Sequence, residues 1–213
     1  MAVFGPAASQ LRKAISVQEA DRLVSSLDRE MTTIRPNESN TQRYKSGFDK
    51  AYLWLQDSAK KEKTILLYQY RGNPNKIRDD GSMEPYTTPN GTAGRDYVVQ
   101  PMVRQRDDQS LKEDMTALDG PVYFVKMNQL IFKGGKMTEG KAGEIKPPDE
   151  DASSDDNTGG GTGSDGYPEA TLAFEAEFFL VPNSAYEFIQ SGGKFDPDKV
   201  TKPIFTNNMA VRR

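Results

Sequence analysis

The chain has 213 residues, of which 35% are hydrophobic and 28% are charged, and its formal net charge is −3. This length allows one domain with a sizeable core, and so small a net charge favours neither a strongly basic nucleic-acid binder nor a highly acidic protein. Cysteine and histidine are both absent. Their absence excludes disulfides, thiolate zinc sites, cysteine nucleophiles and all catalysis or metal binding by imidazole.

Residues 1–10 are predicted to form an extended N-terminal arm. Gly5 and Pro6 disfavour a helix there, and Val3 and Phe4 are apolar anchors for docking on another surface. The sequence contains no apolar run long enough for a secretory signal or for a membrane-spanning helix.

Two amphipathic helices are predicted next. Ser16 to Glu19 has the capping-box pattern, and the apolar residues that follow recur three or four positions apart until Pro36 ends the helix. This stripe consists of Ala20, Val24, Leu27, Met31 and Ile34. A second helix is expected after residues 36–40, with Trp54 outside its apolar face, either in contact with another element or exposed for a partner. That apolar face carries Tyr44, Phe48, Ala51, Tyr52 and Leu55.

The remaining regular structure is predicted to be strands and two short helices, the second of them at 184–190. Four segments rich in β-branched and aromatic residues are expected to be strands, at 64–71, 95–104, 122–132 and 170–181. Pro101 either places the second of them at an edge of the sheet or marks a bulge. Turns are expected at 73–75 and 79–81, and a short helix within 107–119.

The last predicted strand has an apolar face and a largely solvated face. Glu175 and Glu177 point the same way on the solvated face, and paired carboxylates can carry out acid–base chemistry. Alternation places such charges on any exposed strand face, so solvation is the favoured interpretation. The apolar face carries Leu172, Phe174, Ala176, Phe178 and Leu180, and the other face also carries Ala173 and Phe179.

A long acidic insertion, 134–166, separates the last two predicted strands. It has almost no large apolar residues, and from Glu139 to Asp165 it contains eight acidic residues and two lysines, a local charge of −6. Burial within such a segment cannot offset the entropy lost on ordering, so we expect a flexible loop at the tip of a hairpin.

Residues 193–213 are predicted to form a C-terminal arm. Pro197 and Pro203 interrupt the segment, which shows no helical or alternating pattern. Its apolar residues, like Val3 and Phe4, are candidate anchors on a neighbouring subunit. These C-terminal anchors are Phe195, Ile204 and Phe205.

Several short patterns resemble binding motifs but have simpler explanations. Residues 160–168 match one copy of a calcium-binding nonapeptide that works only in stacked repeats, and the acids of 149–156 lack EF-hand spacing. The Gly-Gly-Lys triplets at 134–136 and 192–194 lack the phosphate-binding frame and are interpreted as turns. We therefore predict no catalytic residue, no cofactor and no metal site.

Aromatic and basic residues alternate in 68–78 and in 123–136. Single-strand nucleic-acid binders use such patterns to stack rings on bases beside basic side chains. Tyr68 and Tyr70 lie on one strand face, however, and are equally compatible with a core position. Nucleic acid is thus an alternative partner and not the favoured one.

Together these elements predict an α+β fold, with two N-terminal helices packed on a small, mainly antiparallel sheet, a long acidic glycine-rich hairpin loop and extended terminal arms. The predicted division is an arm at 1–10, a single domain at 11–192 that contains the 134–166 insertion, and an arm at 193–213. This organisation is similar in style to that of virion or assembly proteins of tailed bacteriophages.

The leading hypothesis is a non-enzymatic structural protein that acts as a homo-oligomer in the neck, tail or capsid of a tailed phage. Its predicted partners are itself and neighbouring structural proteins, and its predicted location is the virion, or the host cytoplasm during assembly, without a membrane. The first alternative is a single-stranded nucleic-acid-binding accessory protein. The second alternative is an enzyme that uses carboxylates and a divalent metal ion.

Overall fold

The computed structural model describes residues 17–146, 163–182 and 196–213. Within these ranges, helices at the N-terminal end pack on a mainly antiparallel sheet, which confirms the predicted α+β class. Ser16 of the predicted capping box, residues 1–10 with Val3 and Phe4, the predicted helix at 184–190 and Phe195 lie outside the described residues. None of the helices in the described ranges is both long enough and apolar enough to cross a membrane.

Two long helices and a short one precede the sheet. Helix α1 spans Val17–Thr32, α2 spans Pro36–Asn40 and α3 spans Gly47–Asp57. Ser46 caps α3, because its hydroxyl accepts a hydrogen bond from the Asp49 amide at 3.1 Å. Trp54 is buried, and its indole N–H donates to the Tyr44 hydroxyl at 2.9 Å, so the ring contacts another part of the chain.

The strands and a further short helix follow. They are β1 (Ile65–Ile77), β2 (Met83–Pro85), β3 (Val98–Gln105), α4 (Leu111–Asp114), β4 (Tyr123–Lys133), β5 (Lys136–Glu139), β6 (Thr171–Leu180) and β7 (Phe205–Arg212). Short 3-10 turns lie at Lys61–Lys63, Met115–Ala117, Gly163–Gly166 and Pro197–Lys199.

All strand pairs in the sheet are antiparallel. The main path runs β2-β1-β4-β6-β7, while β3 pairs with β1 and β5 pairs with β4. Strand β3 has β1 as its one partner among the described strands, so it lies at an edge, one of the two alternatives predicted from Pro101. Strand β1 continues beyond the predicted turn at 73–75 and pairs with β2 as far as Ile77, with a change of register on the way.

The sheet has an apolar core on each face. The first core lies beneath α1 and α3 and includes Leu27, Met31, Leu55, Ile65 and Phe174. The second core lies on the opposite face beside α4 and includes Leu66, Tyr70, Leu111, Phe124 and Phe179. Strand β6 contributes to both cores, because successive side chains of a strand point to opposite faces.

Two residues at the end of β6 correct the sequence interpretation. Leu180 was assigned to the buried face but is 49% exposed, and Phe179 was assigned to the solvated face but is buried. The Phe179 ring stacks on Phe124 with centroids 4.8 Å apart. The prediction that one face of β6 is largely solvated failed at Phe179, because the second core covers this end of that face.

The predicted acidic insertion, 134–166, is ordered at both of its ends. Strand β5 pairs with β4, and Gly163–Gly166 forms a 3-10 turn, so the description of the whole segment as a loop was wrong. Short backbone pairing, rather than apolar burial, orders β5. Its middle portion, 147–162, lies outside the described residues, and its flexibility therefore stays a prediction.

The C-terminal segment is a second correction. Instead of an extended arm, Phe205–Arg212 forms β7 and pairs along its length with β6. Met209 and Val211 are buried in the first core, and the Phe205 ring stacks on Phe178 with centroids 4.4 Å apart. The strand was missed because Asn207 occupies an inward position and breaks the apolar alternation.

Candidate functional site

The most exposed apolar surface in the described structure lies on the β4–β5 hairpin, residues 130–139. The part of β4 that pairs with β6 ends at Gln129, and from Leu130 onward β4 pairs with β5. Phe132 and Met137 lie directly opposite each other on the two strands. Phe132 is 65% exposed and Met137 is 59% exposed. A facing aromatic–methionine pair in contact with water is typical of a protein-binding surface.

The turn of this hairpin requires its two glycines. Gly134 and Gly135 have φ values of 58° and 77°, in the left-handed region that favours glycine. A two-residue Gly-Gly turn matches the twist of an antiparallel pair and fixes its register. The first Gly-Gly-Lys triplet is therefore a hairpin turn, as predicted, and it places Phe132 opposite Met137.

The base of the hairpin is held by side-chain amides. The Gln129 side chain donates to the Lys146 carbonyl and accepts from the Lys146 amide, each at 2.7 Å. The Asn128 amide donates to Glu139 at 2.5 Å. Ile145 packs against the first core. These contacts hold the hairpin in a defined position, so its apolar pair is presented without a large ordering cost on binding.

One set of buried charges forms an ionic network around Arg104, whose side chain is 1% exposed. Its guanidinium pairs with Asp80 at 2.8 Å, with Asp108 at 2.9 Å and with Asp114 at 2.9 Å. Asp114 is fully buried and also accepts a hydrogen bond from the Tyr68 hydroxyl at 2.5 Å. Each charge thus has an opposite charge beside it, as burial requires.

A second set of buried charges links the helices to the sheet. The Lys50 ammonium is fully buried and contacts Glu30 at 2.6 Å and Glu38 at 2.9 Å. Arg35 pairs with Glu30 at 2.7 Å and donates to the Val103 carbonyl of β3 at 2.6 Å. These contacts tie α1, α2, α3 and β3 together. We interpret both networks as internal supports, because their charged groups are directed at one another.

Two clefts lie on either side of the loop 78–82. One has a volume of about 650 Å³ and is lined by Arg78, Asp80 and Glu113, and the other has a volume of about 340 Å³ and is lined by Arg29, Arg35 and Asp80. Arg78 pairs with Asp114 and with Glu113. Arg35, Arg78, Asp80 and Glu113 already belong to ion pairs, which favours a structural role for the loop.

Low pH should destabilise the fold, because it protonates the Asp80 carboxylate. Burial by itself would raise the pKa of Asp80, but the hydrogen bonds from Ser82 and the charge of Arg104 outweigh burial and lower it to about 2. An aspartate in an unfolded chain titrates near 3.9. Because the folded pKa is the lower one, this stabilisation is present above the unfolded pKa and is lost as the pH falls toward 2.

We therefore expect the free energy of unfolding to fall by roughly 2 kcal/mol between about pH 5 and pH 2 because of Asp80. Urea titrations across this range should show a smaller loss for Asp80→Asn than for the wild type. Asp79→Asn, at the exposed neighbouring position, is the matched control and should keep the wild-type slope. Equal slopes for all three proteins would contradict the role assigned to Asp80.

The C-terminal anchors predicted from sequence lie against their own chain. The Ile204 amide donates to the Phe178 carbonyl at 2.7 Å, and Phe205 stacks on the Phe178 ring. Both side chains are partly buried against the first core. Their use as anchors on a neighbouring subunit stays a prediction that this placement does not favour.

The predicted carboxylate pair is half-buried. Glu175 and Glu177 face Asn128 and Lys126 across the β4–β6 pair. Burial, together with the Glu139 and Glu175 carboxylates, raises the pKa of Glu177 above its ordinary range, while Lys126 acts in the opposite direction. No group of three or more acidic residues in the described ranges is arranged to hold a metal ion. The acids of 149–156, most of the nonapeptide-like 160–168 and the triplet 192–194 lie outside those ranges.

The aromatic residues that suggested base stacking are mostly in the cores. Tyr68, Tyr70, Tyr123 and Phe124 are all buried, and Phe132 is the exposed exception. Tyr70 is further held by a hydrogen bond from its hydroxyl to the Met83 carbonyl at 2.6 Å. The nucleic-acid alternative thus loses the rings on which it rested.

Comparison with known proteins supplies no function. No family model, no curated protein and no solved structure matches the chain. Sequence reasoning did not identify Phe132 and Met137 as candidates. The one local signal was the Gly-Gly pair that follows a β-forming segment, as in a two-residue hairpin.

Proposed function

We propose that the protein is a non-enzymatic structural protein that assembles as a homo-oligomer, and that the β4–β5 hairpin is one of its contacts. The observation that carries the proposal is the exposed pair Phe132 and Met137, on a hairpin held at its base by Gln129. Large exposed apolar side chains are costly in water, and covering them is the usual source of association free energy.

A second copy of the chain is the partner that the surface favours. Other parts of the same chain carry well-exposed apolar residues, among them Ile77 at 60% and Val98 at 40%. These lie at the far end of β1 and the start of β3. In the described structure β1 pairs with β4 through residues 65–67, at the other end of β1, so both residues are distant from the hairpin along the strands. A chain with apolar patches on different surfaces can associate with copies of itself by a repeated contact.

Two features of the chain disfavour the alternative that it is an enzyme. The buried charges are neutralised internally, and the chain has neither histidine nor cysteine for catalysis. A virion neck, tail or capsid as the setting, with neighbouring structural proteins as further partners, stays part of the proposal from sequence. Purified virions would test it by mass spectrometry, with the protein expected among their components.

Removing the apolar pair should weaken assembly without unfolding the protein. Phe132→Thr combined with Met137→Thr keeps residues that favour strands while removing the exposed apolar surface. We expect sedimentation velocity to show a shift toward smaller species and circular dichroism to remain unchanged. The matched control is Leu180→Thr, which removes an apolar residue that is 49% exposed at the end of β6, outside the proposed contact, and should change the sedimentation less. Identical sedimentation of the double variant and the wild type would count against the hairpin contact.

A further inference from the structure

Strand β7 presents an open edge of the sheet. It pairs with β6 on one side, and no other strand of the described residues pairs with it on the other. The Arg213 amide donates to the Ala170 carbonyl at 2.8 Å. Since hydrogen-bonding directions alternate along an antiparallel strand, the odd-numbered residues of β7 bond to β6. The even-numbered residues direct their backbone N–H and C=O groups outward, and these are Thr206, Asn208, Ala210 and Arg212. The Asn208 carbonyl accepts from the side-chain amide of its neighbour Asn207 at 3.3 Å, an exposed local bond that a pairing strand can replace.

The opposite edge, at β3, is blocked. The Arg106 amide donates to Thr64, so the odd-numbered residues of β3 point outward. One of these is Pro101, which has no amide N–H. The carbonyl of another, Val103, already accepts from Arg35 at 2.6 Å. Prolines and bonded edge groups prevent strand addition, and β7 has no proline between Phe205 and Arg212.

We propose that two copies of the chain pair through antiparallel β7 strands and form one continuous sheet across a two-fold axis. This inference rests on the proposed homo-oligomer and names one of its interfaces. Strands β2 and β5 also have one partner each among the described strands, but they have only three and four residues. Pairing of β7 with β7 closes on itself, whereas pairing of β7 with β3 would continue into a fibre.

One register pairs all four outward residues with each other. In it Thr206 lies opposite Arg212 of the partner subunit, and Asn208 lies opposite Ala210 of the partner subunit. This register also separates the two copies of Arg212, which is exposed and has no ion-pair partner among the described residues. Any shift would leave at least one outward residue without a partner on the facing strand.

The charges on this face of the sheet are complementary in that register. Within one chain, Thr206 lies beside Glu177 of β6. Arg212 of the partner subunit would then lie in the same row, two strands from Glu177 and on the same face of the sheet. Two strand spacings are about 10 Å, which the side chains of arginine and glutamate can span over a threonine. The carboxylates of Glu175, Glu177 and Glu139 outnumber the one cation opposite Glu177, Lys126, and make this surface acidic, so the partner's Arg212 fits it.

A proline at an outward position tests the backbone part of the interface. Asn208→Pro removes an outward N–H and leaves the bonds to β6 intact, so the subunit should stay folded while dimers dissociate. Asn208→Ser, which keeps the N–H, is the matched control and should sediment as the wild type does. Circular dichroism reports whether the proline variant is folded.

Charge reversal tests the side-chain part and does not depend on the proline variant. Arg212→Glu should weaken the dimer by on the order of tenfold or more, because like charges would then meet in one row. Combining Arg212→Glu with Glu177→Arg restores opposite charges and should recover the dimer. Dissociation constants for the wild type, Arg212→Glu, Glu177→Arg and the double variant can be measured by sedimentation equilibrium with the full chain.

The outcomes separate this inference from the proposed function. Loss of dimer with Asn208→Pro or Arg212→Glu, and its recovery in the charge-swapped protein, would support β7 pairing. If the hairpin variant changes the assembly but the β7 variants do not, the β7 interface is overturned and the proposed function stands. If the wild type is monomeric at every concentration, the proposed function and the β7 interface both fall.

Discussion

A chain that ends at Ile204 is expected to lose cooperative folding. The deletion removes β7 and with it the buried side chains of Met209 and Val211 and the Phe205 ring that stacks on Phe178. Each buried apolar side chain contributes about 1.5–3 kcal/mol, and an entire strand ladder with β6 is lost as well. Because the total stability of a domain is about 5–15 kcal/mol, this loss is a large part of it.

Thermal unfolding followed by circular dichroism is the measurement. A synthetic peptide of residues 205–213 should restore a cooperative transition when added to the truncated chain, because it can occupy the vacated edge of β6. Restoration distinguishes the loss of this strand from nonspecific damage. A truncated chain that unfolds cooperatively at the wild-type temperature would show that the C-terminus is an arm after all.

Replacing Arg104 by methionine is expected to lower the free energy of unfolding by about 3–5 kcal/mol. The methionine has a similar volume, but the fully buried Asp114 would keep only Arg78 as a cationic partner, and the largely buried Asp80 would keep only the more distant Arg35 at 3.5 Å. Removing Arg104 therefore leaves an excess of negative charge in a medium of low polarity. The same reasoning predicts that adding Asp114→Asn will recover part of the loss.

The matched control for this prediction is Arg95→Met. Arg95 pairs with Asp96 at 3.1 Å, but its side chain is 78% exposed, and exposed ion pairs contribute about 0–1 kcal/mol. Urea unfolding of the wild type, Arg104→Met and Arg95→Met should therefore give a much lower free energy of unfolding for Arg104→Met than for the other two proteins. A loss below about 1 kcal/mol for Arg104→Met would mean that water reaches this network and that its charges are not supporting the fold.

The long elements of the fold could be predicted because their apolar residues repeat at a regular period. The stripe through Leu27 and Met31 predicted α1, and the alternation of Leu172, Phe174 and Ala176 predicted β6 and its buried face. Each of these elements buries one face against a single neighbouring layer, and this burial requires apolar residues at a regular spacing in the sequence.

The shorter and edge elements left weaker signals. Strand β5 has four residues, all exposed, so no alternation in burial identifies it. Strand β7 has the inward sequence Phe205, Asn207, Met209 and Val211, in which one polar residue hides the period. At the end of β6, Phe179 is buried by a second core that forms only after distant segments meet.

The candidate site could be predicted only in part, because its geometry depends on tertiary contacts. Gly134 and Gly135 predicted a turn, but the exposure of Phe132 depends on where β6 stops pairing with β4. Likewise, Arg35 and Val103 are 68 positions apart, and no local pattern relates them. The buried ionic networks could not be predicted from the sequence for the same reason.

The central claim is that the protein assembles with copies of itself, and the mass of the full chain in solution tests it most directly. Sedimentation equilibrium over a range of protein concentrations gives that mass without reference to shape. We expect a defined species whose mass is a whole multiple of 23.7 kDa, with dissociation only on dilution. A single species of 23.7 kDa at every concentration would contradict it.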